Sequence, residues 1–239
     1  MAAPIGIPAI VLAGGLGTRL RSVISDLPKP MAPVNGKPFL HYLFLYLHRQ
    51  GVTDVVLSVG YKHEVIRDYF GEVYDRIRIR YAVEEEPLGT GGGIAQAMSM
   101  IDSDAIVLNG DTFFDINLAT LYKFHEEHGA DISLALKRMY DFDRYGTVDI
   151  GNQERVLQFQ EKEHRAEGLI NGGVYVLSKD LFAKAAELDG GALPQKFSFE
   201  KDILEKHLLP LHYHGCEFDN YFIDIGIPED YSRVQEDFR

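Results

Sequence analysis

Apolar runs and helical patterns alternate along the first half of the chain. Short apolar runs that read as buried strands lie at Ala9–Ala13, Asp54–Val59, Arg78–Val83, Ala105–Asn109 and Ile132–Lys137. Between them, apolar residues recur at helical spacing over Pro38–Gln50, Glu64–Phe70, Gly93–Met100 and Leu118–His128. In the first of these helices Phe39, Tyr42, Leu43, Tyr46 and Leu47 share one face, which predicts core contact. Strand–helix alternation of this kind predicts an α/β fold, a doubly wound and mostly parallel sheet. The second half reads differently. Hairpin-like strands are predicted at Thr147–Ile150, Val156–Gln160 and Ile170–Leu177, then helices at Lys179–Glu187 and Phe199–His207, a strand at Leu211–Glu217 and a terminal helix from Pro228. No Pro/Gly/Ser linker divides the two halves. Residues 1–239 therefore read as one domain, with a core over about 1–137 and, over about 138–239, an inserted lobe that returns to the core.

In open α/β sheets ligands bind outside the carboxyl ends of the strands, and several suggestive segments fall there. Leu12-Ala13-Gly14-Gly15-Leu16-Gly17-Thr18-Arg19-Leu20 follows the first strand, and Pro28-Lys29-Pro30-Met31 comes next. Glycines let backbone N–H groups approach a ligand, and with Arg19 and Lys29 they make a receptor for a polyphosphate. The run is not a P-loop, because Gly-x-x-x-x-Gly-Lys-Ser/Thr is absent. Nor is it the dinucleotide fingerprint, since Leu20 stands where the third glycine belongs and the second strand ends in Ser58-Val59-Gly60 without an acid for a ribose. A ligand-free βα turn is the plain alternative for the loop taken alone.

Glu84-Glu85-Glu86-Pro87-Leu88-Gly89-Thr90-Gly91-Gly92-Gly93 follows the third strand, and its glycines would let backbone approach a flat ligand such as a base. Asn109-Gly110-Asp111 follows the fourth strand, and Asp224-Ile225-Gly226 repeats the pattern far along the chain. Two such carboxylates suit one Mg²⁺, which takes oxygen ligands from one or two acids plus phosphate. Either aspartate alone could equally close a turn. Glu161-Lys162 could hold sugar hydroxyls and a phosphate, or be a solvated surface pair. Asn171-Gly172-Gly173 could offer an amide to a sugar ring or form a simple turn. His212, His214 and Cys216 alternate along a strand, which reads as a half-exposed face before it reads as a metal site.

Composition narrows the picture. The hydrophobic share of 46% supports a sizeable core, and a net charge of −12 argues against a general nucleic-acid surface. One cysteine, Cys216, excludes an internal disulfide and suits a reducing, cytoplasmic setting. No apolar run approaches the roughly 20 residues of a membrane span, and the N-terminus lacks a signal-like pattern, so no membrane association is expected. A homo-oligomer is compatible with these features.

Taken in order, Leu-Ala-Gly-Gly-Leu-Gly-Thr-Arg-Leu, Pro-Lys-Pro-Met, Pro-Leu-Gly-Thr-Gly-Gly, Asn-Gly-Asp, Glu-Lys and Asp-Ile-Gly make the chain resemble the sugar-1-phosphate nucleotidyltransferases over nearly its whole length. The runs Arg144-Tyr145-Gly146-Thr147-Val148 and Phe222-Ile223-Asp224-Ile225-Gly226-Ile227-Pro228-Glu229-Asp230-Tyr231 are most similar to the members that join GTP to D-glycero-α-D-manno-heptose 1-phosphate. The resemblance implies a Rossmann-like core with a sugar-binding lobe, and a reaction of nucleotide with sugar 1-phosphate that releases pyrophosphate. It implies that Arg19, Lys29, Asp111 and Lys162 are catalytic and that Asp111 and Asp224 hold Mg²⁺. It places Leu12, Ala13, Gly14, Gly15, Gly17, Thr18, Glu85, Gly89 and Thr90 around the nucleotide, and Asn109, Gly146, Glu161 and Asn171 around the sugar. Other pairs remain open: mannose, glucose or N-acetylmuramate 1-phosphate with GTP, UTP, CTP or dTTP. A regulatory subunit that has lost catalysis would have no need of Arg19, Lys29, Asp111 and Asp224 together.

Overall fold

The computed structural model describes residues 5–15 and 27–239. Its strands, in chain order, are β1 (Ala9–Leu12), β2 (Pro33–Val34), β3 (Lys37–Pro38), β4 (Asp54–Val59), β5 (Val73–Tyr74), β6 (Ile77–Val83) and β7 (Ala105–Asn109). There follow β8 (Thr112–Phe114), β9 (Ile132–Phe142), β10 (Val148–Ile150), β11 (Val156–Phe159), β12 (Arg165–Leu177), β13 (Tyr213–Phe218) and β14 (Phe222–Asp224). The α-helices are α1 (Phe39–Arg49), α2 (His63–Phe70), α3 (Gly89–Met98), α4 (Leu118–His128), α5 (Leu181–Leu188) and α6 (Pro228–Asp237). Gly17, Thr18 and Arg19 lie outside the described residues.

Eight strands form one sheet in the order β13-β9-β12-β7-β1-β4-β6-β5. β7, β1, β4 and β6 run parallel, and β13 runs parallel to β9. The expected doubly wound, mostly parallel architecture is present. Alternate residues of the central strands serve opposite faces. Ala9 and Val11 join one core cluster with Phe39, Leu43, Tyr46 and Leu47, while Ile10 joins another with Ile94, Ala97, Leu181 and Phe199. Burial on both faces explains why these strands read as unbroken apolar runs.

The sequence reading needs correction in three places. Ile170–Leu177 is not part of a separate hairpin layer. It belongs to the 13-residue strand β12, which inserts between β7 and β9 and runs antiparallel to both. β9 likewise continues to Phe142, past the expected end at Lys137. Helix α3 begins at Gly89, ahead of the expected Gly93. Glycine disfavours helix by about 1 kcal/mol per residue, but tertiary contact overrides that here. A Cβ on Gly92 would lie 2.6 Å from the Gln195 carbonyl oxygen, and one on Gly91 would run into the Phe197 ring. On the strand that carries His212, His214 and Cys216, His212 is exposed, His214 buried and Cys216 half-buried, in keeping with a half-exposed face. Among the described residues no group of three His, Cys, Asp or Glu could hold a metal ion there.

On the far side of the sheet His125 of α4 is buried, and its Nδ1 lies 3.0 Å from Ser133 Oγ. Burial holds this imidazole below its ordinary value of 6.5, although Asp104 and Asp131 pull the other way. The unfolded chain therefore takes up a proton near pH 6.5 that the folded chain refuses, and stability declines as pH falls through that region. Chemical denaturation should show wild-type protein losing stability between about pH 7.5 and 5.5, and His125→Gln losing less. Equal pH sensitivity of the two would remove His125 from this role.

Candidate functional site

The site begins with a charge problem solved by local folding. Pro28 is extended, and Lys29–Met31 form one 3₁₀ turn closed by Met31 N–H to the Pro28 carbonyl at 2.8 Å. Pro30 fits this first turn because its missing N–H would have had no partner within it. Pro30 and Met31 are buried beneath the turn, so the backbone of Lys29 is anchored and its side chain projects into the cleft.

Asp111 arrives from the opposite direction. β7 ends at Asn109, and Gly110 N–H donates to the Leu12 carbonyl at 2.9 Å. A Cβ at residue 110 would collide with that same carbonyl, so only glycine allows the chain to turn against β1. β8 then pairs antiparallel with β14, Thr112 opposite Asp224, and Ile225 N–H donates to the Asp111 carbonyl at 3.0 Å. This ribbon sets Asp224 beside Asp111 across more than a hundred residues of sequence.

Lys29 Nζ lies 2.5 Å from Asp111 Oδ2 and 3.6 Å from Asp224 Oδ1. Asp224 also accepts the Gly226 N–H at 2.7 Å. Burial raises the Asp224 carboxyl above its ordinary value. Asp111 adds to this, and Lys29 and the Gly226 amide partly offset it. The arrangement is a pair of carboxylates whose charge the Lys29 ammonium offsets only in part, the kind of oxygen-donor set that suits a hard divalent ion.

Two cavities open at the carboxyl ends of the strands, and Asp224 lines one of them. One, of about 620 Å³, is lined by Leu12, Gly14 and Gly15, by the Gly60–Glu64 turn after β4, and by Glu84, Glu85, Pro87, Gly89 and Thr90. The other, of about 520 Å³, is lined by Asn109, Arg144, Tyr145, Lys162, Asn171, Glu200 and Asp224 among others. Leu12 and Asn109 are register partners on adjacent strands, so the paired ends of β1 and β7 separate the two cavities.

The residues singled out from sequence distribute between them as follows. Ala13 is buried and donates its N–H to the Ser58 carbonyl at 2.7 Å, fixing the start of the glycine loop. Gly14, Gly15, Glu85, Gly89 and Thr90 line the first cavity. Thr90 also donates its hydroxyl to Glu200 Oε2 at 2.7 Å and accepts the Phe199 N–H, so it ties α3 to the lobe. Asn109, Lys162 and Asn171 line the second cavity. Asn171 is held on both sides, donating to the Tyr175 hydroxyl at 2.8 Å and accepting the Gly173 N–H at 3.0 Å. Gly146 and Glu161 sit slightly further out with Lys162, and Glu161 and Lys162 are exposed.

Sequence reasoning passed over two groups. Glu84 accepts the Ser58 hydroxyl at 3.2 Å and the Leu88 N–H at 3.0 Å, so it clamps the loop that follows β6. A run of three glutamates gives no local sign of which one turns inward. Arg144 donates to buried Asp230 of α6 at 2.6 Å, joining the lobe to the terminal helix beside Asp224. The glycine run after Glu86 also does more than admit a ligand. Gly91 and Gly92 N–H groups donate to the Phe197 carbonyl, so protein backbone occupies the start of α3.

Comparison with known proteins agrees with this geometry. The nucleotidyl transferase family matches residues 8–239. A D-glycero-α-D-manno-heptose 1-phosphate guanylyltransferase of Campylobacter jejuni subsp. jejuni is 53% identical over 223 residues, covering 93% of this chain and 96% of its own. One from Aneurinibacillus thermoaerophilus is 50% identical over 232 residues, covering 97% and 98%. The crystal structure of HddC from Yersinia pseudotuberculosis complexed with GMP-PN superposes with a TM-score of 0.84 at 39% identity, covering 98% of this chain and all of that one.

Glu84→Ala would leave the Leu88 N–H and the Ser58 hydroxyl without their carboxylate. The expected cost is about 1–3 kcal/mol in urea denaturation, the scale for orphaning partly buried donors. Glu85→Ala should change stability by less than about 0.5 kcal/mol, as is usual for a surface substitution.

Proposed function

Because the chain belongs to the nucleotidyl transferase family, we propose that it joins GTP to D-glycero-α-D-manno-heptose 1-phosphate, giving the GDP-heptose and pyrophosphate. The observation that carries this reading is the Lys29–Asp111–Asp224 cluster beside two cavities that meet at the paired strand ends Leu12 and Asn109, with Asp224 lining one of them. Two neighbouring cavities and a charged centre are what a two-substrate group transfer needs. The identity of 50–53% to two guanylyltransferases across nearly the whole chain supports the choice of substrate pair.

In the proposed reaction a phosphate oxygen of the sugar phosphate attacks the α-phosphorus of GTP in line. One P–O bond forms, the bond between the α-phosphorus and its bridging oxygen breaks, and pyrophosphate leaves with that oxygen. The protein's work is positioning and charge neutralisation. Leu12, Ala13, Gly14, Gly15, Glu85, Gly89 and Thr90 would hold the nucleoside side. Arg19, together with Gly17 and Thr18, would take the β- and γ-phosphates. Lys162 would hold the sugar phosphate, and Asn109, Gly146, Glu161 and Asn171 would line the sugar. Lys29 would move its ammonium from the carboxylates to the α-phosphate.

Asp111 and Asp224 fit a divalent cation, and we assign Mg²⁺ to them. When bound, Mg²⁺ supplies positive charge against the α-phosphoryl oxygens. In this reading the nucleotide occupies the core of about residues 1–137, and the sugar occupies the segment from about 138 onward. No helix among the described residues is long and apolar enough to cross a membrane. A cytoplasmic setting is part of the proposal, supported by the lone cysteine, Cys216.

Pyrophosphate release with Mg²⁺, across four nucleoside triphosphates and the heptose, mannose and glucose 1-phosphates, tests the assignment. Preference for GTP with the manno-heptose is expected, and turnover confined to another pair would replace the substrates. Lys29→Ala should lower kcat by a factor on the order of 10²–10³, the scale of one preorganised charge contact. Asp224→Asn should shift the Mg²⁺ titration of a folded enzyme to higher concentration, and an unchanged titration would take Asp224 out of the metal site.

A further inference from the structure

The sugar-side cavity does not end at Asn171 and Lys162. A further space of about 470 Å³ is lined by the same Tyr145, Lys162, Asn171 and Glu200. It extends along hairpin β10–β11 and the π-helical turn Phe199–Glu205. We propose that this arm is a subsite for the exocyclic hydroxyalkyl chain of the sugar, and that Gln158 and Glu205 read its hydroxyl groups. The inference rests on the heptose guanylyltransferase reading and adds a specificity site to it.

The chemistry of the walls selects the ligand. Among the described residues Lys162 is the only cation lining the arm, and it also lines the neighbouring cavity. Beyond it come Gln158 and Glu205 with the apolar surfaces of Phe159, Leu204 and Leu208. A phosphate or carboxylate would find no counter-charge there. A neutral polyol finds carboxylate and amide groups for its O–H groups and apolar surface for its C–H groups.

Two of the polar side chains that line the arm, Gln160 and Glu200, already have partners. Gln160 is held by Asp149 on one side and by Arg165 at 2.6 Å on the other. Glu200 Oε2 accepts the hydroxyls of Thr90 and Ser198 at 2.7 and 2.9 Å. The side chains of Gln158 and Glu205 are exposed and make no hydrogen bond or ion pair with the described residues. Their polar groups are available to a ligand and come from different elements of the lining, one on β11 and one on the π-helical turn.

The wall is also rigid where it must be. Gln160 N–H donates to the Thr147 carbonyl at 2.8 Å, and a Cβ on Gly146 would meet the Gln160 carbonyl. The hairpin that carries Gln158 is thereby closed against the segment that carries Tyr145. Mannose 1-phosphate ends at C6 and D-glycero-D-manno-heptose 1-phosphate carries one more CHOH group, so a ligand for that group discriminates between them.

The test compares kcat/KM for heptose 1-phosphate and mannose 1-phosphate at saturating GTP, in wild type, Gln158→Ala, Glu205→Ala and Glu205→Gln. The heptose-to-mannose ratio should fall about tenfold in each alanine variant, through KM for the heptose, as expected for losing one net hydrogen bond. Glu205→Gln, which can still bond a hydroxyl, should recover part of the loss. Melting temperatures should match wild type, because both side chains are exposed and unpartnered. A ratio that does not move, or equal losses on both sugars, overturns the subsite and leaves the guanylyltransferase reading standing. Wild-type protein that turns over mannose 1-phosphate and not the heptose overturns both.

Discussion

Two carboxylates facing one another in a partly buried cleft repel, and desolvation adds to the cost of keeping both charged. Asp111 and Asp224 stay together because two things act at once. The β8–β14 ribbon fixes their backbones by antiparallel pairing, and Lys29 places an ammonium between their side chains. Neither is sufficient alone: the ribbon without the ammonium would leave a buried like-charge pair, and the ammonium without the ribbon would have only one partner. The ends of β1 and β7 lie beside this joint, Leu12 lining one cavity and Asn109 the other.

The second constraint is the absence of side chains where the lobe meets the core. The segment Gln195–Phe199 lies on the glycine face of α3, with the Phe197 carbonyl accepting from Gly91 and Gly92 and the Leu88 carbonyl accepting from Phe197. Gly89 has φ +74°, and a Cβ there would come within 2.5 Å of the Phe197 carbonyl oxygen. This docking brings Glu200 to the wall of the cavity that Asn171 and Lys162 line, and lets Thr90 bond it directly. Glu84 completes the same region by pinning Leu88 and Ser58. The loop after β6, which lines the cavity beside Gly14 and Gly15, is thus held from behind by a carboxylate and from the side by the lobe.

Much of this was legible in the residues. Apolar runs at Ala9–Ala13, Asp54–Val59 and Ala105–Asn109 announced buried parallel strands, because such strands are covered on both faces and leave no alternation. The chemistry was legible too, since Pro-Lys-Pro, Asn-Gly-Asp and Asp-Ile-Gly each couple a charged residue to a backbone feature that aims it. Less legible was anything decided by a partner far away in sequence. Glu84 and Glu85 are alike in a sequence window, and only the position of Ser58 on the adjacent strand makes Glu84 the inward one. Strand β12 reads as part of a hairpin until the sheet is assembled, when it inserts antiparallel between β7 and β9. Helix α3 has too many glycines to be predicted from propensity, and it persists because those glycines are where the lobe packs.

By itself the sequence determined the longer core strands and helices and the residue types presented at their ends, because periodicity, proline and glycine act over a few neighbouring positions, but it did not show the short strands β8 and β14. Strand order, the register of Thr112 against Asp224, and the meeting of Lys29 with both aspartates were decided only in the tertiary structure. These are contacts between segments many turns of chain apart. Their free energy comes from closing the sheet and burying its two faces together, and no local window of residues contains that information.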